Sequence, residues 1–304
     1  MNEMLQKIVP HLWFDSAAEK AAQAYARLLP NSGIGHVARY TEAGCDQHGR
    51  QPGSVMSAEL TLDGYLMVLI NGGPMFQPTP ALSFYLTYER QQDLDNAWQA
   101  MTQGGQILMP LDQYPWSPKY GWVSDRHGIS WQFALGKRSD VGGAPVVPML
   151  LFTRDMAGRA EEAVEIYTSI FPGSEVEGIL RHDGSGPDAE GTVMHAQFHI
   201  AGQTFMAMDS ADLHDFGFSE ATSLLVFCDS QEEVDHYWKN LSAVPEAEAC
   251  GWLKDPFGVS WQIVPRVMIE GLKDPDPAVV KRVTEAFMQM KKLDVAELER
   301  ARRR

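Results

Sequence analysis

The fourteen residues Tyr120 to Phe133, YGWVSDRHGISWQF, return later in the chain as Cys250 to Ile263, CGWLKDPFGVSWQI. Seven of the fourteen positions are identical, at an offset of 130 residues. Self-similarity over this distance indicates that one structural unit was duplicated, and a duplicated unit tends to hold a ligand where its copies meet. We therefore predict two equivalent modules with a functional site at their junction.

Other segments repeat in the same order, so the duplication extends over most of the chain. The matched pairs are Tyr25 to Ser32 with Tyr167 to Ser174, Ser54 to Ala58 with Thr192 to Ala196, and Trp98 with Trp238. A chain of 304 residues with 44 % hydrophobic residues is long enough for two domains. We predict a first module over 1–138, a linker over 139–146, a second module over 147–266 and a C-terminal helical tail over 267–304.

The overall composition limits the partners and the compartment. A net charge of −15 disfavours nucleic acid as a partner, because phosphate binding relies on clustered Lys and Arg. No segment approaches the roughly 18 apolar residues of a membrane helix, and the start MNEMLQKIVPHLWF lacks a signal-peptide pattern. The three cysteines, Cys45, Cys228 and Cys250, have no metal-type spacing. We predict a cytoplasmic protein that binds neither nucleic acid nor a membrane.

Within each module the residue pattern predicts a strand, a helix and then mostly strands. Val9 to Phe14 alternates like a strand, and Ser16-x-x-Glu19 predicts a capping box that starts a helix ending at Pro30. In the closing hairpin, Trp131 falls on one strand face while Ser130 and Gln132 fall on the other. The polar face is either exposed to water or the wall of a cavity. The fold class is α+β, with tandem βαβββ-type modules and curved mixed sheets.

These residues resemble the PhnB-like family of the vicinal-oxygen-chelate superfamily, whose relatives include glyoxalases, bleomycin-resistance proteins and extradiol dioxygenases. The resemblance lies in the Tyr-x-x-x-[Leu/Phe]-Pro-x-Ser helix end, the Val-Met-x-Ala strand and the Asp-x-x-Gly-[Ile/Val]-Ser-Trp-Gln hairpin of each module. It covers about residues 5–137 and 146–265. It implies that paired modules form a curved sheet whose concave face holds the site, often with a divalent metal bound by His and Glu.

The resemblance also implies which positions would hold a metal. By strand position they lie near Val9, Glu59 and Gln132 in the first module and near Val147, Gln197 and Gln262 in the second. Only Glu59 among these is a good ligand, because Zn²⁺ and Fe²⁺ prefer imidazole and charged oxygen donors. We predict a site without metal or other cofactor; the alternative is a divalent metal held by His11, Glu59 and His195.

The family resemblance carries the label of a 3-demethylubiquinone 3-methyltransferase, which the residues do not support. A methyltransferase that uses S-adenosylmethionine has a glycine-rich loop between a strand and a helix in a parallel α/β pattern. The glycine pairs Gly72-Gly73, Gly104-Gly105 and Gly142-Gly143 do not lie in that context.

Glu59 is the candidate general base, on the hypothesis that burial raises its pKa. The alternative is a solvated carboxylate on an exposed strand. The other pocket candidates share a strand face with one of the implied ligand positions or flank the duplicated hairpin. They are His11, Trp13, Ser57, Trp122, Ser130, Gln132, His195, Gln197, Trp252, Ser260 and Gln262.

Two further segments distinguish this chain. The first module has ten extra residues between Trp98 and Gly121, in a stretch with little strand pattern that contains Tyr114, Trp116 and Lys119. This stretch is either a lid that presents Lys119 to an anionic ligand or a contact with another subunit. In the tail, a helix from about Ala278 to Arg300 carries an apolar stripe. That stripe is buried either on its own chain or in a homodimer.

Three functions remain open, and we give them in decreasing order of preference. The first is a metal-independent site that binds or transforms a small organic molecule. The second is a divalent-metal lyase, isomerase or dioxygenase. The third is a protein that sequesters a drug or metabolite without turnover.

Overall fold

Strands and helices follow one another in the same order in the two repeats. The structure, a computed structural model, describes residues 6–43, 45 and 49–303. The first five residues, part of the segment from which we predict no signal peptide, lie outside these ranges. The first repeat contains β1 (Ile8–Phe14), α1 (Ala18–Tyr25), β2 (Gly33–Arg39), β3 (Val55–Leu62), β4 (Tyr65–Asn71), β5 (Leu82–Tyr88), α2 (Gln91–Thr102), β6 (Gln106–Tyr114), β7 (Ser117–Ser124) and β8 (Ser130–Leu135).

The second repeat and the tail complete the described chain. The second repeat contains β9 (Val147–Phe152), α3 (Ala160–Ile170), β10 (Glu175–Arg181), β11 (Val193–Ile200), β12 (Gln203–Asp209), β13 (Thr222–Cys228), α4 (Gln231–Leu241), β14 (Trp252–Lys254) and β15 (Ser260–Pro265). The tail contains α5 (Arg266–Leu272), α6 (Pro277–Phe287) and α7 (Val295–Arg303). Within the described residues, no helix has the length and apolar character needed to cross a membrane.

The first helix of each repeat is capped from a neighbouring strand. The predicted capping box at Ser16 is wrong, because no side chain caps α1 from the residue that precedes it. Instead the side-chain oxygen of Asn71, at the end of β4, accepts a 2.8 Å hydrogen bond from the backbone N–H of Ala18. Asp209, at the end of β12, does the same for Ala160 at 3.1 Å. The cap therefore ties each helix to the sheet on which it packs.

Each of the two sheets combines half of one repeat with half of the other. The first sheet has the order β14-β15-β13-β1-β4-β3-β2, and the second has the order β10-β11-β12-β9-β5-β8-β7-β6. The junctions are the antiparallel pairs β1 with β13 and β5 with β9. This confirms an α+β fold with curved mixed sheets.

The exchange of strands changes which positions can form one site. The grouping of implied ligand positions by module is wrong, because the closing strand of each repeat lies in the sheet of the other repeat. The first sheet holds Val9, Glu59 and Gln262, and the second holds Val147, Gln197 and Gln132.

One face of each sheet packs on helices, with α1 and α4 on the first sheet and α2 and α3 on the second. Trp131, Phe133, Trp261 and Ile263 are fully buried there, which confirms the predicted alternation in the closing strands. The opposite faces carry the polar half of that alternation. We define face A as the face of the first sheet that carries Val9, His11, Trp13, Glu59 and Gln262. Face B is the face of the second sheet that carries Val147, Met149, Gln197 and Gln132.

The tail covers one end of face A. The predicted single helix is wrong, because residues 288–294 leave helical geometry between α6 and α7. The backbone carbonyls of Met290 and Lys291 in that segment each accept a 2.8 Å hydrogen bond, from Cys250 and Gly251 respectively. The apolar stripe is buried on its own chain, in a cluster that contains Val9, Leu225, Phe227, Val264, Met268, Val279, Val283, Leu293 and Leu298.

The linker covers the corresponding end of face B. Its 3₁₀ turn, Arg138–Val141, places Val141 in a small buried cluster with Val147, Met149 and Met206. Beyond the cover of the tail, Trp13 and Trp252 of face A are partly exposed, and we call this part the open end of face A.

The predicted irregular stretch at residues 106–120 is wrong in its secondary structure. It forms the hairpin of β6 and β7, which extends the second sheet at its edge. Lys119 bonds to Asp95 at 2.5 Å, so its ammonium group is already paired. Tyr114 and Trp116 stack on each other with ring centroids 5.0 Å apart. The hairpin therefore belongs to the edge of the second sheet.

Candidate functional site

His11 is a buried polar residue on β1, the central strand of the first sheet, and lies on face A. It lies on β1, opposite Val68 of β4 on one side and Ser223 of β13 on the other. The side chain is 6 % exposed, and its Nδ1 has no hydrogen-bond partner within the described residues. Burial lowers the pKa of His11 to about 4, so the imidazole is neutral at pH 7. A buried nitrogen without a partner costs about 1–3 kcal/mol, which a bound ligand or water would recover.

Aromatic rings form the walls around His11. Trp252 meets the imidazole edge-on with centroids 5.9 Å apart, and Trp13 meets Trp252 at 6.3 Å. Phe76, in the loop after β4, contacts Trp13 at 5.0 Å. Trp13 and Trp252 are both partly exposed, so their rings can also contact a ligand.

Trp13 is fixed in place by the glycine pair after β4. Its Nε1 donates a 2.7 Å hydrogen bond to the carbonyl of Gly73. A Cβ atom at Gly72 would lie 2.1 Å from the indole ring, so only glycine allows the ring to lie this close to the backbone. The Gly72-Gly73 pair therefore positions an aromatic wall.

Polar groups with open hydrogen-bonding capacity lie beside these rings. Nε2 of Gln262 donates to Oγ of Ser223 at 2.9 Å, and that hydroxyl donates to the carbonyl of His11 at 3.3 Å. Oε1 of Gln262 and Nε1 of Trp252 have no hydrogen-bond partner in the part of the chain that the structure describes. The open end of face A thus offers an acceptor, a donor and a neutral imidazole.

The equivalent positions of face B are paired with one another. Tyr120 donates a 2.7 Å hydrogen bond to Oε1 of Gln132, whose Nε2 donates to Oγ of Ser83 at 2.8 Å. Nε1 of Trp122 donates to Oγ of Ser130 at 2.7 Å. The strand registers place Met149 where face A has His11, and Sδ of Met149 accepts from Gln132 at 3.0 Å. At the positions equivalent to Gln262 and Trp252, face B pairs its polar groups with one another, whereas face A does not.

The second repeat's strand candidates also belong to face B. Gln197 donates to Oε2 of Glu177 at 2.7 Å and to the linker carbonyl of Asp140 at 3.2 Å. His195 lies on the same strand, across from Leu180 of β10, and burial lowers its pKa. Neither residue reaches the site around His11, because each lies in the second sheet.

The residues present do not fit the metal that the superfamily implies. His195 is in a different sheet from His11 and Glu59. His11 and Glu59 both pair with Val68, from opposite sides, so a whole strand separates them. Within the described residues, no group of three or more His, Cys, Asp or Glu is arranged to hold a metal ion. The predicted alternative set of His11, Glu59 and His195 is not brought together.

Glu59, the candidate base, is engaged by two other groups. Its carboxylate forms an ion pair with Lys273, at the end of α5. Its Oε2 also accepts a 3.3 Å hydrogen bond from the backbone N–H of His36. Ser57, two residues earlier on β3, pairs with Ile70 and lies farther along face A. The tail thus uses Glu59 as an anchor, which leaves it poorly placed to take a proton from a ligand.

Sequence reasoning missed two residues of this site. Ser223 lies on the same strand face as Leu225, and the duplication places it opposite Ser83, so strand alternation could have found it. Phe76 lies in a loop and contacts Trp13 only through the tertiary fold, so no local pattern pointed to it.

The family comparison covers both repeats. The family model described as 3-demethylubiquinone-9 3-methyltransferase matches residues 6–134 and 144–264. These segments make up more than half of the chain, one in each repeat. No curated protein matches the sequence.

The chain is also similar to solved structures. A PhnB protein from Bacillus cereus is 38 % identical and covers 43 % of this chain and 100 % of its own, with a TM-score of 0.40. Glyoxalase I from Zea mays is 8 % identical and covers 84 % of this chain and 92 % of its own, with a TM-score of 0.51. At that identity the likeness to glyoxalase I concerns the fold alone.

Proposed function

Because the chain belongs to the PhnB-like family of the vicinal-oxygen-chelate superfamily, we propose that it binds a small organic molecule at the open end of face A, without a metal ion. The observation that carries this proposal is the contrast between the faces. Among the described residues, His11, Gln262 and Trp252 have polar atoms without partners, while Met149, Gln132 and Trp122 at the equivalent positions of face B are joined to one another or to neighbouring side chains by hydrogen bonds.

The chemistry of the site favours a flat, uncharged ligand. The two Trp rings and Phe76 supply apolar walls, and Gln262 and Trp252 supply an acceptor and a donor. The charged groups nearby are paired, with Lys254 bonded to Glu220 at 2.7 Å and Lys273 bonded to Glu59. A planar molecule with adjacent hydrogen-bond donor and acceptor groups matches this arrangement.

The proposed role of this site is to bind a ligand rather than to transfer a proton. A pKa of about 4 makes His11 a weak base at neutral pH, and Glu59 is held by Lys273. A sequestering role is therefore favoured by the same observation. Catalysis by His11 would require that the ligand raise the pKa of the imidazole.

We do not extend the methyltransferase description of the family to this chain. Both sheets are mixed, with antiparallel pairs at their centres, whereas the nucleotide-binding fold of many methyltransferases is a doubly wound parallel sheet. Gly72 and Gly73 lead from β4 into a loop and not into a helix, and their role here is to support Trp13. The described residues therefore do not form the nucleotide-binding loop of that methyltransferase fold.

We also propose a reducing cytoplasmic setting, since the three cysteines are free. A homodimer stays a prediction, and the tail stripe no longer requires one, because it is buried on its own chain.

The binding proposal is tested with fluorine labels on the eight tryptophans. The probes are 2-naphthamide and 2-quinolone, each with an aromatic body and an amide donor and acceptor. We expect ¹⁹F resonances of Trp13 and Trp252 to shift in 5-fluorotryptophan-labelled protein, and we expect Gln262→Leu to weaken the effect about tenfold. Trp122 is the matched control on face B. Shifts at Trp122 in place of Trp252, or no shifts with either probe, would overturn the proposal.

Metal independence has its own test. Elemental analysis after incubation with Zn²⁺, Ni²⁺, Mn²⁺ or Fe²⁺ and gel filtration should find less than one bound ion per chain. Stoichiometric metal that is lost in both Glu59→Gln and His11→Phe would favour the metal enzyme instead.

A further inference from the structure

A large groove lies between α1 and α2, on the helical side of the sheets and away from face A. It has a volume of about 1100 Å³, which is ample for a small-molecule ligand. Its apolar lining includes Ala24, Leu28, Ala97, Ala100 and Met101. The groove is separate from the site around His11 and is not explained by the proposed function.

The second repeat provides an internal comparison, because the corresponding helices α3 and α4 are packed together. Tyr237 of α4 stacks on Phe171 at the end of α3, with centroids 4.9 Å apart. His236 places its Nε2 2.8 Å from the carbonyl of Ile170. The duplication gives Asn96 and Ala97 at the positions of His236 and Tyr237. Asn96 and Ala97 therefore leave a space between the helices of the first repeat, and the larger His236 and Tyr237 fill the equivalent space in the second.

The charges at the groove differ between the repeats as well. Lys20, Arg27 and Arg126 line the groove, and none of them has an ion pair or side-chain hydrogen bond within residues 6–43, 45 and 49–303. Their counterparts in the second repeat are Glu162, Ser169 and Pro256. A local excess of cations in a chain of net charge −15 points to an anionic partner.

Four of the other charged groups of the groove form ion pairs within the protein. Arg90 pairs with Asp93 at 2.7 Å, and Arg138 pairs with Asp63. Asp125, at the floor, accepts hydrogen bonds from Tyr25 at 2.6 Å and from three further donors. The remaining titratable side chains are those of Glu89, which is exposed, and of His127. Burial lowers the pKa of His127. Within the described residues, three cations without an ion pair thus face two carboxylates without one, Glu89 and the buried Asp125, so the groove keeps an excess of one positive charge.

We propose that this groove is a second binding site, which takes an organic anion with an apolar body. The body lies on the small apolar residues of α1 and α2, and the anionic group is held by Arg27, Arg126 and Lys20. The wide gap left by Ala97 selects for a bulky ring system rather than a simple inorganic ion.

The test uses 8-anilinonaphthalene-1-sulfonate and its uncharged analogue N-phenyl-1-naphthylamine as probes. We expect the sulfonate to bind with enhanced fluorescence and to shift the ¹³C-methyl resonance that disappears in Met101→Leu. We expect the uncharged probe to bind more weakly. In Asn96→His/Ala97→Tyr, which imports the side chains of the second repeat, sulfonate binding should be lost.

Charge variants separate the role of the cations from that of the shape. Each of Arg27→Ser and Arg126→Ser should weaken the sulfonate about two- to fivefold at low salt and leave the uncharged probe unaffected. They keep the groove open, so they remain informative if the filled double variant does not fold. Trp252→Phe, at the separate site around His11, should leave the binding of both probes unchanged. Equal binding of both probes, binding that survives in a folded double variant, binding that is sensitive to Trp252 or no binding would each overturn the proposal.

Discussion

The hydroxyl of Tyr120 donates a 2.7 Å hydrogen bond to Oε1 of Gln132, and no described residue makes the equivalent bond to Gln262. Cys250 occupies the matching place in the duplicated fragment, but its backbone has φ of 54° and is held by the tail rather than by a strand. Two glutamines at equivalent positions therefore have different roles. Gln132 joins a closed structural network, while Gln262 is left with an open acceptor.

This difference predicts unequal costs for the same substitution. Gln132→Leu leaves Tyr120 and Ser83 without partners, and we expect it to lower the free energy of unfolding by about 2 kcal/mol more than Gln262→Leu does. Urea unfolding of the two variants measures the difference. Equal losses would show that Gln132 is no more integrated than Gln262.

Burial of His11 predicts a specific dependence of stability on pH. The folded pKa, about 4, lies below the unfolded value of 6.5, so protons bind preferentially to the unfolded chain as the pH falls below 6.5. This one group should destabilise the fold by about 2 kcal/mol at pH 5 relative to pH 7.5. The stability difference between the unmodified protein and His11→Phe, measured by urea unfolding at both pH values, isolates it. A difference independent of pH would mean that the imidazole is not buried in its neutral form.

Paired tyrosines tie the first helix of each repeat to its closing turn. Tyr25 donates to Asp125 and Tyr167 donates to Asp255, each at 2.6 Å, and all four side chains are buried. We expect Tyr25→Phe and Tyr167→Phe each to cost about 2 kcal/mol, because each removes a hydrogen bond to a buried carboxyl group. A contrasting control is Thr87→Val, which removes a buried hydroxyl that has no hydrogen-bond partner among the described residues. It should leave the melting temperature unchanged or higher.

The duplication and the strand alternation could be read from the sequence, but the pairing of the strands could not. The alternation of Trp131 and Gln132 is local, since successive side chains of a strand point to opposite faces. Which repeat supplies the neighbour of β1 depends on contacts more than 200 residues apart, such as Ile8 with Val226. His11, Trp13, Trp252 and Gln262 were each predicted as site candidates. That these four residues share one sheet while His195 lies in the other depends on the strand pairing, which a local pattern does not show.

The tail shows a similar limit. Its apolar stripe was visible, yet a continuous helix was predicted across the segment where Met290 and Lys291 turn to pair with Cys250 and Gly251. Helical periodicity carries no signal for such a tertiary backbone contact. Glu59 was predicted as a general base from its strand position. Its ion pair with Lys273 could not be predicted from a local pattern, because Lys273 lies more than 200 residues away in the sequence.

Docking of the tail on face A gives the last prediction. Val283 is fully buried between the tail helices and the sheet, so Val283→Asp would place an unpaired charge there and should undock α6 and α7. Hydrogen exchange should then rise throughout residues 277–303 and in β1 and β13, whose residues Val9 and Leu225 lose their cover, while the second sheet stays protected. Ala278→Asp, at an exposed position of α6, is the matched control. It should change hydrogen exchange neither in the tail nor in β1 and β13. If Val283→Asp instead unfolds both sheets together, the tail is an integral part of the core and not a separable cover of face A.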